Sequence, residues 1–196
     1  MESHETKKNF IRDCFEWLDV IIISVLAVVL LFTFIFRIVS IDGDSMNDTL
    51  IDGERVIISN LFYTPKRGDI VVISRNTDNR IDRDSEEPII KRVIATEGQL
   101  VDIDFTTGKV YVDGQLLDEP YIKDYAIEQY STVDSYGVQF PLRVEENCVF
   151  VMGDNRRESL DSRSPQIGNN GQINTKYILG RAILRVYPFN KIGALS

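Results

Sequence analysis

The sequence predicts a mainly β fold: an antiparallel β-sheet domain preceded by one N-terminal transmembrane helix. Two observations carry this. Val20 to Phe36 reads VIIISVLAVVLLFTFIF, 17 residues without a charge. Beyond it, short β-branched runs recur between turn residues, the spacing of antiparallel strands rather than of strands alternating with crossover helices. Size agrees, since 196 residues suffice for about one compact domain plus an anchor.

The helix comes first. At 1.5 Å per residue the uncharged run covers about 25 Å, and Trp17, Leu18, Ile38 and Val39 extend it toward the roughly 30 Å of a hydrocarbon core. A cleaved export signal would have a shorter apolar stretch and a small-residue cleavage site, and a buried soluble helix would keep a polar face. This run has neither. Lys7, Lys8 and Arg12 precede it and Arg37 and Arg55 follow, a mild bias that favours a cytoplasmic N-terminus. The expected layout is a cytoplasmic segment 1–17, an anchor 18–38 and an extracytoplasmic β-rich domain 39–196.

The strands follow in order. Arg55–Ile58, Asp69–Ile73, Ile89–Ile94, Leu100–Ile103, Lys109–Val112, Cys148–Met152 and Ile178–Val186 each read as strands. Asp113-Gly114, between Val110-Tyr111-Val112 and Gln115-Leu116-Leu117, has the chemistry of a two-residue hairpin turn. The polar stretch Arg75–Pro88 reads as an exposed loop.

Composition removes several function classes. The net charge is -8, and with residues 1–38 set aside the remainder holds 18 basic and 25 acidic residues, which argues against a phosphate-binding surface, so no nucleic acid is expected as a partner. A single histidine, His4, lies at the extreme N-terminus. Catalytic triads and zinc sites that need a rigidly held imidazole are thereby excluded, leaving carboxylate, Lys, Ser, Tyr or Cys chemistry. Cys14 and Cys148 flank the anchor on opposite sides, so both are expected to be free thiols. Cys148 reads as a core residue, and a sortase-like use of it fails for want of a histidine.

Three segments stand out chemically. Ile41-Asp42-Gly43-Asp44-Ser45-Met46-Asn47-Asp48-Thr49-Leu50 places a serine in a polar turn shortly after the anchor; alone, it is an ordinary turn residue. In Pro88-Ile89-Ile90-Lys91-Arg92-Val93-Ile94, strand alternation puts Lys91 and Arg92 on opposite faces, each among apolar neighbours. Were Lys91 to face the core, desolvation would lower its pKa from about 10.4 and make the neutral amine a plausible general base, whereas an edge-strand lysine would merely snorkel. Val151-Met152-Gly153-Asp154-Asn155-Arg156-Arg157-Glu158-Ser159-Leu160-Asp161-Ser162-Arg163 runs from a strand into a loop of small hydroxyls and charges. Such a loop can set a hydroxyl, Ser159 or Ser162, beside a lysine amine, with Asp161 and Arg163 bracing it by an ion pair.

Taken together, the order Ser-Met near the membrane, Lys-Arg on a strand, then Gly-Asp-Asn-Arg with Ser-x-Asp-Ser-Arg resembles the type I signal peptidases, serine-lysine endopeptidases that remove secretory signal peptides. The likeness extends to Gly68-Asp69-Ile70-Val71-Val72, Tyr111-Val112-Asp113-Gly114, Leu117-Asp118-Glu119-Pro120-Tyr121 and the ending Tyr187-Pro188-Phe189-Asn190-Lys191-Ile192-Gly193. A single anchor and a short insertion are more similar to the Gram-positive branch.

The resemblance implies Ser45 as nucleophile, Lys91 as general base and Ser159 orienting the lysine amine, with Asp154, Asp161, Arg163 and Arg92 as supporting residues. It implies no metal and no cofactor. The oxyanion would rest mainly on the Ser45 backbone N–H, because Gly43 stands where some relatives carry a second donor serine. Ile41, Gly43, Met46, Leu50 and Ile90 match substrate-binding positions, and the implied cut follows Ala-x-Ala. Implied partners are the signal peptides of secretory preproteins and the lipid bilayer, with a monomeric enzyme in the cell membrane. One departure is Asp48, which replaces the usual proline of Met-x-Pro-Thr-Leu and is expected to loosen the nucleophile loop unless it bonds locally. Two other readings stay open: a repressor-type self-cleaving Ser-Lys protease, which would carry a DNA-binding domain in place of the anchor, and a catalytically weak or inactive membrane-tethered β domain that binds secreted proteins.

Overall fold

A computed structural model describes residues 2–74, 88–122, 138–165 and 167–195, without the side chains of 2–14 and 34. The polar stretch read as a loop over 75–87 falls outside the described residues. The chain separates into two compact units, Met1–Arg37 and Ile38–Ser196.

The first unit is one helix, α1, Glu2–Phe34. It therefore takes in His4, which sequence reading placed ahead of any folded element. Within it Phe15–Thr33 has a mean hydropathy of 2.5 and none of it is buried, so its apolar side chains are open on every side, as suits a lipid solvent. Its two hydroxyls bond back along the helix, Ser24 Oγ to the Val20 carbonyl and Thr33 Oγ1 to the Val29 carbonyl, each at 2.7 Å. Neither is left to face hydrocarbon unsatisfied. The helix stops at Phe34 and a strand begins at Phe36, so residues 36–38, counted with the anchor from hydropathy alone, are extended backbone.

The second unit is mainly β, with short 3-10 turns at Thr175–Tyr177 and Phe189–Lys191. In chain order its strands are β1 (Phe36–Ser40), β2 (Arg55–Ser59), β3 (Ile70–Ile73), β4 (Ile89–Thr96), β5 (Leu100–Asp104), β6 (Lys109–Val112), β7 (Gln115–Leu116), β8 (Leu142–Arg143), β9 (Cys148–Met152), β10 (Ile173–Asn174), β11 (Ile178–Tyr187) and β12 (Gly193–Ala194). One sheet has the order β1-β2-β11-β3-β4-β9-β10 with β12 on β11, and a smaller one runs β7-β6-β5-β8. The pairings whose registers are described are antiparallel, among them β3 with β4 and β4 with β9. Asp113 and Gly114 take positive φ at the β6–β7 hairpin, the conformation that the Asp-Gly pair favours.

Two strands of the larger sheet position the chemically distinctive residues. β4 reads IIKRVIAT and is buried along both faces, since β3 and β9 flank it and core clusters lie on either side. β9 is buried at all five positions and delivers the chain to Gly153. Cys148, on β9, is a free buried thiol whose pKa is raised by burial and then by Glu145 and Glu97, which makes it inert.

Candidate active site

Ser45 lies in the loop between β1 and β2. The base of that loop is closed by the Ile41 N–H on the Glu54 carbonyl at 2.8 Å and the Gly53 N–H on the Ile41 carbonyl at 3.0 Å. Met46 and Leu50 are fully buried and Ile41 is 3% exposed, in one cluster with Val56, Ile58 and Ile70. Burying a side chain of this size contributes about 1.5–3 kcal/mol, so these three hold the loop to the sheet. The three residues expected to bind substrate thus pack in the core cluster directly beneath the serine loop. Gly43 has φ +82, a left-handed conformation costly for other residues, and its N–H is taken by Asp52 Oδ1 at 2.9 Å.

Asp48 is exposed, and the turn around it is held by the Asn47 N–H on the Asp44 carbonyl and the Leu50 N–H on the Met46 carbonyl. Arg185 adds a bond from Nη2 to the Thr49 carbonyl at 2.7 Å while its Nη1 sits 3.2 Å from the buried Glu54. The loop is thus fixed by its neighbours with Asp in the proline position.

Lys91 meets this loop from β4. It is 3% exposed, and its Nζ lies 2.7 Å from Ser45 Oγ and 2.9 Å from the Ile90 carbonyl. The serine and lysine, 46 positions apart, are in direct hydrogen-bond contact. Arg92, one residue on and also buried, forks onto Asp154 with Nε–Oδ1 at 2.9 Å and Nη2–Oδ2 at 2.8 Å. Its Nη1 reaches the Gly68 carbonyl at 2.8 Å and its guanidinium lies 4.0 Å from the centre of the Tyr121 ring. Asp154 accepts a further bond from Thr49 Oγ1 at 2.5 Å. One carboxylate therefore ties the lysine strand to the serine loop.

The segment after β9 closes the site. Asn155 donates its N–H to the Ser45 carbonyl and its Nδ2 to the Asp44 carbonyl, both at 3.1 Å. Gly153 lies where a Cβ would overlap both the Ser45 carbonyl and the Ser159 side chain, so only glycine lets these two approach. Ser159 is fully buried there. Asp161 accepts from the Gly153 N–H at 2.9 Å and pairs bidentately with Arg163 at 2.8 Å on both oxygens. Burial would raise its carboxyl, but the Arg163 guanidinium, the Gly153 N–H and the Ser159 hydroxyl outweigh it and hold it below the ordinary range. Ser162, the other hydroxyl singled out in the sequence, accepts from the Val151 N–H at 2.9 Å and so continues the strand pairing instead of facing the lysine.

A groove of about 660 Å³ opens at the serine and lysine, lined among others by Val39, Gly43, Ile89, Ile90 and Leu160. Of the substrate positions expected, Gly43 and Ile90 border it. Thr49, Gly153, Asn155 and the buried pair of Arg156 with Glu119 were not singled out individually, since a turn threonine or a loop glycine carries no distinguishing mark. The Ser45 N–H finds no acceptor among the described residues and is free for a developing oxyanion.

Sequence comparison supplies the family context. A family model described as signal peptidase, peptidase S26, matches residues 14–187. Signal peptidase I of Bacillus licheniformis is 34% identical over 199 residues, covering 97% of this chain and 96% of that protein. Signal peptidase I S of Bacillus subtilis strain 168 is 33% identical, with 98% of each covered. A crystal structure of a signal peptidase I from Enterococcus faecalis V583 superimposes with a TM-score of 0.43 at 25% identity, over 61% of this chain and 97% of that one.

Proposed function

The chain belongs to the S26 signal peptidase family, and from that premise we propose that Ser45 and Lys91 are the nucleophile and general base with which it performs the family's reaction. It is a serine endopeptidase that removes signal peptides. The observation that carries the assignment is the 2.7 Å contact between Lys91 Nζ and Ser45 Oγ inside an open groove.

The geometry supports a two-step hydrolysis. Neutral Lys91 takes the Ser45 hydroxyl proton as Oγ attacks the scissile carbonyl carbon, and the oxyanion develops against the Ser45 N–H. Collapse breaks the C–N bond, Lys91 returns the proton to the leaving amine, and an ester on Ser45 remains. Water, deprotonated by Lys91, then releases the signal peptide's carboxylate and regenerates the serine. Arg92 and Asp154 position the two loops against each other. Asp161 and Arg163 brace the loop that carries Ser159, whose hydroxyl the family resemblance assigns to orienting the lysine amine. Val39, Ile89, Ile90 and Leu160 offer apolar walls for the small side chains of an Ala-x-Ala segment.

The substrates are secretory preproteins. Phe15–Thr33 anchors the enzyme as a single span, with the N-terminus cytoplasmic, the β unit extracytoplasmic and the enzyme acting as a monomer. Few residues separate the span from Ser45, which suits cleavage where a signal peptide leaves the bilayer. The test is cleavage of a preprotein in liposomes by the wild type, Ser45→Ala and Lys91→Ala. Loss of about 10³-fold or more in both variants is expected; two variants that cut like the wild type would refute the assignment.

A further inference from the structure

The groove over the serine and lysine carries a charge that the reaction itself does not call for. Asp42, Asp44 and Glu158 all border it and all three are exposed. Among the described residues none of them is in an ion pair. Asp44 Oδ1 accepts from the Asn47 side-chain amide at 2.9 Å, a neutral partner that leaves its charge in place. Among the described residues the one basic side chain bordering the groove is Lys91, whose Nζ is engaged by Ser45 Oγ and the Ile90 carbonyl. A lysine that acts as a base is neutral at the moment of attack, so in the working enzyme it cancels none of the three carboxylates.

We propose that Asp42, Asp44 and Glu158 make this groove select substrates by charge, favouring preproteins with a basic residue, and rejecting those with an acidic one, beside the cleavage point. This rests on the groove being the substrate cleft of the Ser45–Lys91 pair. Apolar walls select small side chains by shape but are indifferent to the sign of a neighbouring charge; a set of carboxylates bordering one groove is not. A single charge pair about 7 Å apart at a wetted surface changes an equilibrium several-fold, so exchanging Lys for Asp in the substrate changes the rate about tenfold, and salt reduces that ratio.

The experiment uses the full chain in detergent and fluorogenic peptides sharing one Ala-x-Ala core. Lys, Gln or Asp is placed in turn at the middle position of that core and at the first position after the cut. The expected result is kcat/KM in the order Lys, Gln, Asp at one of these positions, with a Lys-to-Asp ratio of about tenfold at low salt. The ratio should fall to about threefold or less at high salt and in the double variant Asp42→Asn/Glu158→Gln. Equal rates on the three peptides at low salt, or a ratio unchanged in the double variant, would overturn the proposal. Failure of the underlying site would look different: Ser45→Ala would cut the Gln peptide as fast as the wild type.

Discussion

The two sheets treat charge in opposite ways. In the smaller sheet β5 alternates, with Val101 and Ile103 inside and Asp102 exposed, and β6 does the same with Val110 and Val112 inside and Lys109 exposed. Its acids serve turns: Asp113 takes the Leu100 N–H at 2.8 Å. In the larger sheet β4 buries Lys91 and Arg92 side by side, and the segment after β9 buries Asp154, Asp161 and Arg163. A buried charge is costly unless paired and hydrogen-bonded. Arg92 with Asp154 and Arg163 with Asp161 meet that condition as bidentate pairs, and Lys91 meets the serine. Ordinary patterning thus describes the scaffold, and its violation marks the chemistry.

Substitutions can break this contrast. The largest effect is expected for Lys91→Met, which should abolish turnover, by about 10³-fold or more, while leaving the melting temperature unchanged or higher, because a buried polar amine gives way to an apolar chain of similar size. Ile103→Ala in the other sheet should do the reverse, losing about 2–4 kcal/mol in urea unfolding with kcat unchanged. A Lys91→Met protein that keeps its activity, or an Ile103→Ala protein that loses kcat but not stability, would erase the distinction.

Next comes Asp154→Asn, which leaves Arg92 buried beside a neutral amide. We expect a loss of about 3 kcal/mol, read by urea unfolding, together with reduced kcat because Thr49 and Arg92 lose their common partner. Gly153→Ala should separate Ser45 from Ser159 and lower kcat/KM about 10²-fold, read with a peptide substrate; wild-type kinetics would show that the close approach is not required.

The smallest effects are in pH. Asp161 has its pKa depressed below 3.8 in the fold, so its contribution is present above that value and is lost as pH falls through the folded pKa. The wild type should lose melting temperature in acid more steeply than Asp161→Asn does. Tyr63 and Tyr121 lie on the other side. Burial, then Asp69 for Tyr63 and Glu119 for Tyr121, raises both above 10.0, so their contribution is complete below about pH 10 and declines as pH rises beyond it. Tyr63→Phe should flatten part of that alkaline decline in a thermal-melt series.

The same contrast decides what was legible in the sequence. β6 and β9 were readable residue for residue, because β-branched runs between turn signals have one physical solution, and the Asp113-Gly114 hairpin followed from the φ that those residues tolerate. Ser45 and Lys91 were singled out through the order of their motifs, not through any local property; their contact spans 46 positions and no periodicity reports it. That Ile41, Met46 and Leu50 pack into the core was not legible, for a plain reason. An apolar residue in a loop reads alike whether it faces a peptide or the core, and only the packing against Val56 and Ile58 tells which. Gly153 was legible only as part of the Gly-Asp-Asn-Arg motif, since the reason for a glycine there depends on two atoms from distant segments. Phe36 read as part of the anchor because hydropathy sees polarity and not the change from helix to strand.

The central claim is that Lys91 works by giving up and returning a proton, not by contributing a positive charge. It is tested most directly by the rate of preprotein cleavage from about pH 6 to about pH 10 in the wild type and in Lys91→Arg, which keeps the charge but does not deprotonate in this range. The account predicts a wild-type rate that climbs with pH and a Lys91→Arg enzyme that is folded, by its melting curve, but inactive throughout. A folded Lys91→Arg enzyme cutting within about tenfold of the wild type, or a flat wild-type profile, would contradict it.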